Sequence, residues 1–457
     1  MNPESKIIGT IDIGTTKIVA IAGRKNKDGQ FEVLGLEKIV STGVKRGVIS
    51  NIDETVKAIT EVVNRLQDRL NIILTDVYVG MAGYSIRSHS TRCYKFIDKG
   101  EVITNHDIEK LYRDGHRVMM DPGEKILHVI PQDYSVDHEL NEKNPVGMLG
   151  ERLEGNFHVV IGRTNAIGNI EKCISRSKLK LAGIMLEALA SSHAVISEEE
   201  REAGVVLVDF GGGTTELAIF YDGVIRYSAV IPIGGNVVTN DIKEGCSLFI
   251  KQAEAIKVKF GSAIGSLESE DVVISIPGVQ GWETKEISAK NLSYIIQARM
   301  EDIIDCVLHH IKESGYYEKL SAGIVITGGG ALMKYVPELI KYHTALDVRI
   351  GHPGKYFKGY TIPAEEMPLY STAVGLMVSH SMYVLPKFSE QKLFDEDKAP
   401  KVTGNSDDKG DKGGDKDKKG GNNKKTGTKK TSVLSGLFGS ITGGLQEMFV
   451  EKDTAMA

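Results

Sequence analysis

Ile11-Asp12-Ile13-Gly14-Thr15-Thr16-Lys17, near the start of the chain, has a counterpart far downstream in Val208-Asp209-Phe210-Gly211-Gly212-Gly213-Thr214-Thr215. Each copy is an apolar run, an aspartate, a glycine-bearing turn, two threonines and a second apolar run. The second runs are Ile18-Val19-Ala20-Ile21 and Leu217-Ala218-Ile219-Phe220. Apolar runs bounded by glycine read as strands, so each copy predicts strand, tight turn, strand. A further hairpin signal follows each, Asp28-Gly29 and Asp222-Gly223, and both suit a type I′ turn. A duplicated hairpin predicts two similar domains facing each other. Their two turns would converge on one cleft and hold one polyphosphate between them.

The residue types fit that chemistry. Glycine lets the backbone N–H groups of Gly14, Gly211, Gly212 and Gly213 come close to phosphate oxygens. Thr15, Thr16, Thr214 and Thr215 add hydroxyl donors, and Lys17 adds a positive charge. Asp12 and Asp209 are anionic and suit a magnesium ion, directly or through its water shell. A third glycine cluster follows a buried strand, in Ile324-Val325-Ile326-Thr327-Gly328-Gly329-Gly330-Ala331-Leu332. It lets backbone lie flat against a base or an α-phosphate, and a helix is expected from near Ala331 to just before Pro337. No G-x-x-x-x-G-K-[ST] occurs, which excludes a P-loop.

Composition bounds the class. The chain has 457 residues, 41% hydrophobic and 26% charged, as expected of globular domains, and its length suits roughly three. A net charge of −5 argues against a dedicated nucleic-acid binder. Cys93, Cys173, Cys246 and Cys306 are scattered, without metal-ligand spacing, and read as reduced core residues of a cytoplasmic protein. His309 and His310 show no ligand spacing either, and Trp282 reads as a packed aromatic. The first residues lead straight into a strand, leaving no room for a signal peptide. No apolar run approaches the roughly 20 residues of a membrane span.

The three glycine clusters, in this order, resemble the signatures of the actin, Hsp70 and sugar-kinase superfamily. Residues 8–17 match phosphate 1, 205–217 match phosphate 2 and 324–332 match the adenosine motif. Leu186-Glu187-Ala188-Leu189-Ala190-Ser191-Ser192 and Tyr370-Ser371-Thr372-Ala373-Val374-Gly375-Leu376 match the connecting helices. Within the superfamily the chain resembles the FtsA family of bacterial cell-division proteins. That likeness is carried by the stretch Ile231 to Ile242, by Gln252-Ala253-Glu254-Ala255-Ile256-Lys257 and by Val44-Lys45-Arg46-Gly47-Val48-Ile49, and it covers about residues 6–385. It implies an α/β fold, the actin-like two-domain ATPase fold of duplicated βββαβα domains, with an inserted subdomain called 1C. The implied division is domain 1 at 1–75, 1C at 76–162, domain 1 again at 163–204, domain 2 (2A/2B) at 205–360 and a return to domain 1 at 361–394.

The resemblance also implies ATP and Mg2+ as ligands. Glu254 and Lys257, at i and i+3 on one helix face, would approach ribose and base. Asp209 and Glu187 are the candidates for positioning an attacking water, and the family binds ATP clearly while hydrolysing it weakly. The partner implied is FtsZ, whose terminal peptide would dock on 2B beside the helix from Ala289 to Ser314, with Arg299 and Asp302 on the contact turn. Self-association and other division proteins binding through 1C are implied as well.

Composition changes around residue 395. Residues 395–431 are Lys, Asp, Gly and Asn with almost nothing apolar, which predicts a flexible linker. Residues 432–457 then carry Val433, Leu434, Leu437, Phe438, Ile441, Leu445, Met448 and Phe449 within an arc of about 160° at helical spacing. The pattern predicts an amphipathic helix suited to the acidic surface of the cytoplasmic membrane, with lysines just upstream to strengthen attraction. The resemblance then implies a peripheral protein on the inner membrane at the division septum. A pilus-assembly relative would normally lack this tether and helix. A small-molecule kinase would need a catalytic aspartate in a sugar pocket, and the Hsp70 type a substrate-binding β domain.

Overall fold

The computed structural model describes residues 7–278 and 283–380. The expectations for Trp282, for the 395–431 linker and for the 432–457 tail lie outside these residues.

The first half opens with β1 (Ile8–Ile13), β2 (Lys17–Lys25) and β3 (Phe31–Val40), each antiparallel to the next. β1 is buried along its whole length, as an apolar strand covered on both faces must be. A small ribbon follows, β4 (Val44–Lys45) and β5 (Val48–Ile49), and then helix α1 (Ile52–Leu70). Asn51 caps α1 by accepting the Glu54 N–H, and Asn71 ends it in a left-handed conformation. Its buried stripe of Ala58, Ile59, Val62, Val63 and Leu66 lies against β2 and β3. β6 (Asp76–Met81) pairs parallel with β1. The sequence-based division assigned Asp76–Met81 to the insert, whereas its hydrogen bonds lie in this first sheet.

The insert has its own four-stranded antiparallel sheet, ordered β7-β10-β8-β9, from β7 (Arg87–Phe96), β8 (Glu124–Val136), β9 (Glu139–Glu142) and β10 (Arg152–Arg163). Helix α2 (Asn105–Gly115) packs on it, closing a small core around Leu111, Val129, Leu153 and Phe157. β9 lies within the polar stretch from Asp137 to Met148. The chain then returns through α3 (Thr164–Arg176) to β11 (Lys180–Leu186), which pairs parallel with β6. Two helices follow, α4 (Glu187–Val195) and α5 (Glu198–Ala203).

The second half repeats the plan. β12 (Val205–Phe210), β13 (Thr215–Tyr221) and β14 (Val224–Ile231) form the antiparallel part. Next come α6 (Gly235–Gly245), α7 (Ile250–Phe260), a ribbon of β15 (Val273–Ile276) with β16 (Lys285–Ser288), and α8 (Ala289–Glu313). β17 (Ile324–Thr327), α9 (Val336–Thr344) and β18 (Val348–Ile350) complete the sheet, and α10 (Ser371–Ser379) crosses back onto β1 and α4. The two five-stranded sheets, β11-β6-β1-β2-β3 and β18-β17-β12-β13-β14, have the same order and the same parallel and antiparallel pairs. The duplication read in two turns is thus a duplication of whole sheets.

Two local expectations need correction. Asp222 and Gly223 both have positive φ, 56° and 80°, as a type I′ turn requires. At the first hairpin only Gly29 does, at 79°, with its N–H donating to the Asn26 carbonyl. That is the three-residue loop with a bulge. After the third glycine cluster the chain makes only a short 3-10 turn, Gly330–Leu332, and the helix begins at Val336 with Pro337 in its first turn. Proline has no N–H to lose there, so it starts this helix rather than stopping one.

Candidate functional site

Between the two halves lies a cleft of about 350 Å³, the size of a small-molecule site. Its polar end is built from the turns after β1 and β12. A Cβ on Gly212 would fall 2.3 Å from Thr16 Cγ2, so the two turns meet at a distance that only glycine permits. The Val44 to Ile49 stretch is the β4–β5 ribbon, whose Gly47 N–H donates to Thr15 Oγ1 at 2.9 Å. From the second half, the start of α6 joins in, with the Gly235 and Asn236 N–H groups donating to the Gly211 and Gly212 carbonyls.

Carboxylates concentrate here. Asp12 is 4% exposed, and burial, reinforced by Asp209 and opposed by Lys17, pushes its pKa up to about 6. Burial also raises Asp209, whose Oδ2 accepts from Ser191 on α4 at 2.8 Å and from Thr372 on α10 at 3.3 Å. The two connecting helices thus hold one aspartate between them. Gly328 has φ +83°, and a Cβ there would lie 2.3 Å from Asp209 Oδ1, so the third glycine cluster reaches the same carboxylate. Glu187, the first residue of α4, and Glu216 on β13 are both held well above the usual carboxylate range, first by burial and then by the neighbouring acids. Glu216 is 3% exposed, and its Oε2 has no hydrogen-bond partner among the described residues.

The cleft is also lined by the apolar side chains of Val258, Met300, Ile303, Leu332, Met333 and Leu369. Lys257 and Glu254 line it as well. Lys257 Nζ meets Glu254 Oε2 at 2.7 Å, the Gly235 carbonyl at 2.9 Å and Thr239 Oγ1 at 2.8 Å, so this pair ties α7 to the start of α6.

Every residue proposed from sequence for nucleotide contact lines this cleft except Thr215. Thr215 is fully buried and its hydroxyl donates to the Ile233 carbonyl at 2.8 Å. Alternation of side chains is the reason: Thr214, just before β13, and Glu216 both line the cleft, and Thr215 between them faces away. By the same alternation Glu216 was legible in the sequence but was missed, as were Gly235 and Asn236. Arg299 and Asp302 sit apart from the cleft lining, on α8. The Arg299 guanidinium pairs with Asp241 of α6 at 2.6 Å and with Asp302 at 3.0 Å.

The donor set fits an anionic ligand accompanied by a divalent cation. Four carboxylates crowd one end with an unpartnered oxygen among them, beside glycine turns, Lys17 and a helix start. A magnesium ion there would be held by Asp12 and Asp209, and would relieve their mutual repulsion.

The duplicated sheets around one interdomain cleft define the actin-like two-domain fold, and a solved PilM–PilN type IV pilus biogenesis complex shares it. The superposition has a TM-score of 0.60 at 13% identity, over 81% of this chain and 97% of that one, and shows the fold alone. The family model described as cell division protein FtsA matches residues 206–375, and the SHS2 domain inserted in FtsA matches 83–161. The FtsA of Neisseria meningitidis serogroup B is 37% identical over 378 residues, covering 82% of this chain and 91% of that protein. The FtsA of Pseudomonas aeruginosa is 39% identical over 385 residues, covering 84% and 91%. This chain belongs to the FtsA family of cell division proteins.

Proposed function

We propose that this protein binds ATP with Mg2+ in the interdomain cleft, self-associates, and tethers FtsZ filaments to the cytoplasmic face of the inner membrane at the division septum. The observation that carries the nucleotide reading is the lining of the cleft: two glycine turns with buried carboxylates, together with apolar side chains from α7, α8 and the segment after the third glycine cluster. A triphosphate with its cation matches the first, and a base matches the second. Bound magnesium would supply charge neutralisation of the phosphates. Lys17 and the turn N–H groups of Gly14 and Gly211 to Gly213 would orient them. Asp209 and Glu187 would position a water, with slow turnover. FtsZ would dock near Arg299 and Asp302, other division proteins would bind the insert, and nucleic acid is not a partner. The tail at 432–457 would supply the membrane contact. A pilus-type role has only the shared fold in its favour.

Titration of ATP with Mg2+ tests the core of this reading. Asp12→Ala and Asp209→Ala each remove a cation ligand at a strand end. Affinity is expected to fall at least tenfold, about 1.4 kcal/mol. Unchanged affinity in both variants would place the nucleotide elsewhere.

A further inference from the structure

The insert is joined to both halves of the cleft at chosen points. On the first half, His128 of β8 is buried, and its Nε2 accepts the Leu186 backbone N–H at 3.1 Å. Leu186 is the N-cap of α4, and the next residue is Glu187, the cleft carboxylate. Burial lowers His128 to about 4, so its ring stays neutral and able to accept at physiological pH. On the second half, the insert grips β14. His158 Nε2 meets Ser228 Oγ at 2.9 Å, Ser88 donates to the Ser228 carbonyl at 2.6 Å and Gln132 to the Ile225 carbonyl at 2.7 Å. Arg226 and Asp133 form an ion pair across the same contact at 2.5 Å, with both side chains largely buried. β14 runs through Ile233 and Gly234 into the start of α6, which hydrogen-bonds the second glycine turn.

We infer that the insert is mechanically coupled to the cleft, with His128 as a positioning residue that fixes the start of α4 and with it Glu187. The physical argument is one of geometry. Any movement of one half against the other shifts Leu186 relative to Ser228, and one rigid sheet holds both. The sheet must then either move with one half or give up a buried bond, and a buried N–H without its acceptor is costly. Coupling of this kind is reciprocal, so a partner seated on the insert changes nucleotide affinity by the factor with which nucleotide changes the partner's. The inference rests on reading the cleft as a nucleotide site.

The test is hydrogen–deuterium exchange on the full chain, with and without ADP and Mg2+, after nucleotide affinity has been measured separately by titration. In the wild type, nucleotide is expected to slow exchange not only in the turns but at Leu186 and in segments 124–136 and 152–163. His128→Leu removes the acceptor, and is expected to cut the insert's response at least threefold while nucleotide still binds. His128→Gln, whose carboxamide oxygen can accept the same N–H, is expected to restore it, which a purely space-filling role would not predict. Ser228→Ala, on the other half, weakens the second grip and is expected to reduce the response even if His128→Leu does not fold. Nucleotide that binds the wild type without altering exchange in the insert overturns the coupling and leaves the cleft reading intact, as does a full response in His128→Leu. Failure of the wild type to bind nucleotide removes the cleft reading and the coupling together.

Discussion

At the residue scale, the protein keeps ionisable groups in places that penalise charge, and the two kinds respond to acid in opposite directions. Burial, aided by the nearby His128 and His89, lowers His158 to about 4 from its ordinary 6.5. Between those values the unfolded chain binds the proton and the folded chain does not, so acidification destabilises the fold; the loss begins near pH 6.5 and levels off below about 4. Asp12, raised to about 6, works the other way and favours the fold as pH falls from 6 towards 3.8. The histidine contribution is therefore read by comparing variants. His158→Gln keeps a polar partner for Ser228 but cannot titrate. Chemical denaturation at pH 7 and pH 5 is expected to show the wild type losing on the order of 2 kcal/mol more than the variant. An equal loss in both would mean that His158 titrates normally.

At the element scale, α8 is both a packing helix and the proposed peptide-docking surface. Arg299 already has two carboxylate partners, so a peptide carboxylate would have to share or displace them. Arg299→Glu is expected to weaken binding of an FtsZ tail peptide at least tenfold, measured by fluorescence anisotropy, and to leave ATP affinity within about twofold. Its cost in stability should stay near 1 kcal/mol, because the pair with Asp241 is partly solvated. The double variant Asp241→Arg/Arg299→Glu rebuilds the ion pair with its polarity reversed. Peptide binding should remain lost; its return would mean that Arg299 acts by holding α6 against α8. The elements also differ in how legible they were. The hairpins β1–β2 and β12–β13 could be read because all their signals lie within a few adjacent residues. The sheet that β6 joins could not be read, because its partners β1 and β11 lie about 65 or more residues away on one side and 100 on the other.

At the scale of the whole molecule, the proposed function joins a nucleotide-dependent body to a membrane-seeking tail. Deleting Val433 to Ala457, or replacing Leu437 and Phe438 with Asp, is expected to release the protein from acidic vesicles in a sedimentation assay. Burying each of those side chains contributes about 1.5–3 kcal/mol, and a charge in their place adds a penalty. Salt should weaken the wild type only in part, since it screens the lysines and leaves apolar insertion untouched. Full sedimentation of the truncated chain would put the membrane contact elsewhere. A single weak anchor suffices if the protein self-associates, because joined anchors bind together.

The sequence alone determined the duplicated turns, their aspartates and threonines, and the third glycine cluster. Each is a local pattern whose chemistry can be read from neighbouring residues. Only the tertiary structure decided that Asp209 is held by two helices 181 residues apart, through Ser191 and Thr372. It also decided that His128 of the insert sits on the amide before Glu187. These facts depend on which strands pair and which faces meet. Pairing is set by burial and hydrogen bonding summed over the whole chain, and no short window of residues contains that sum.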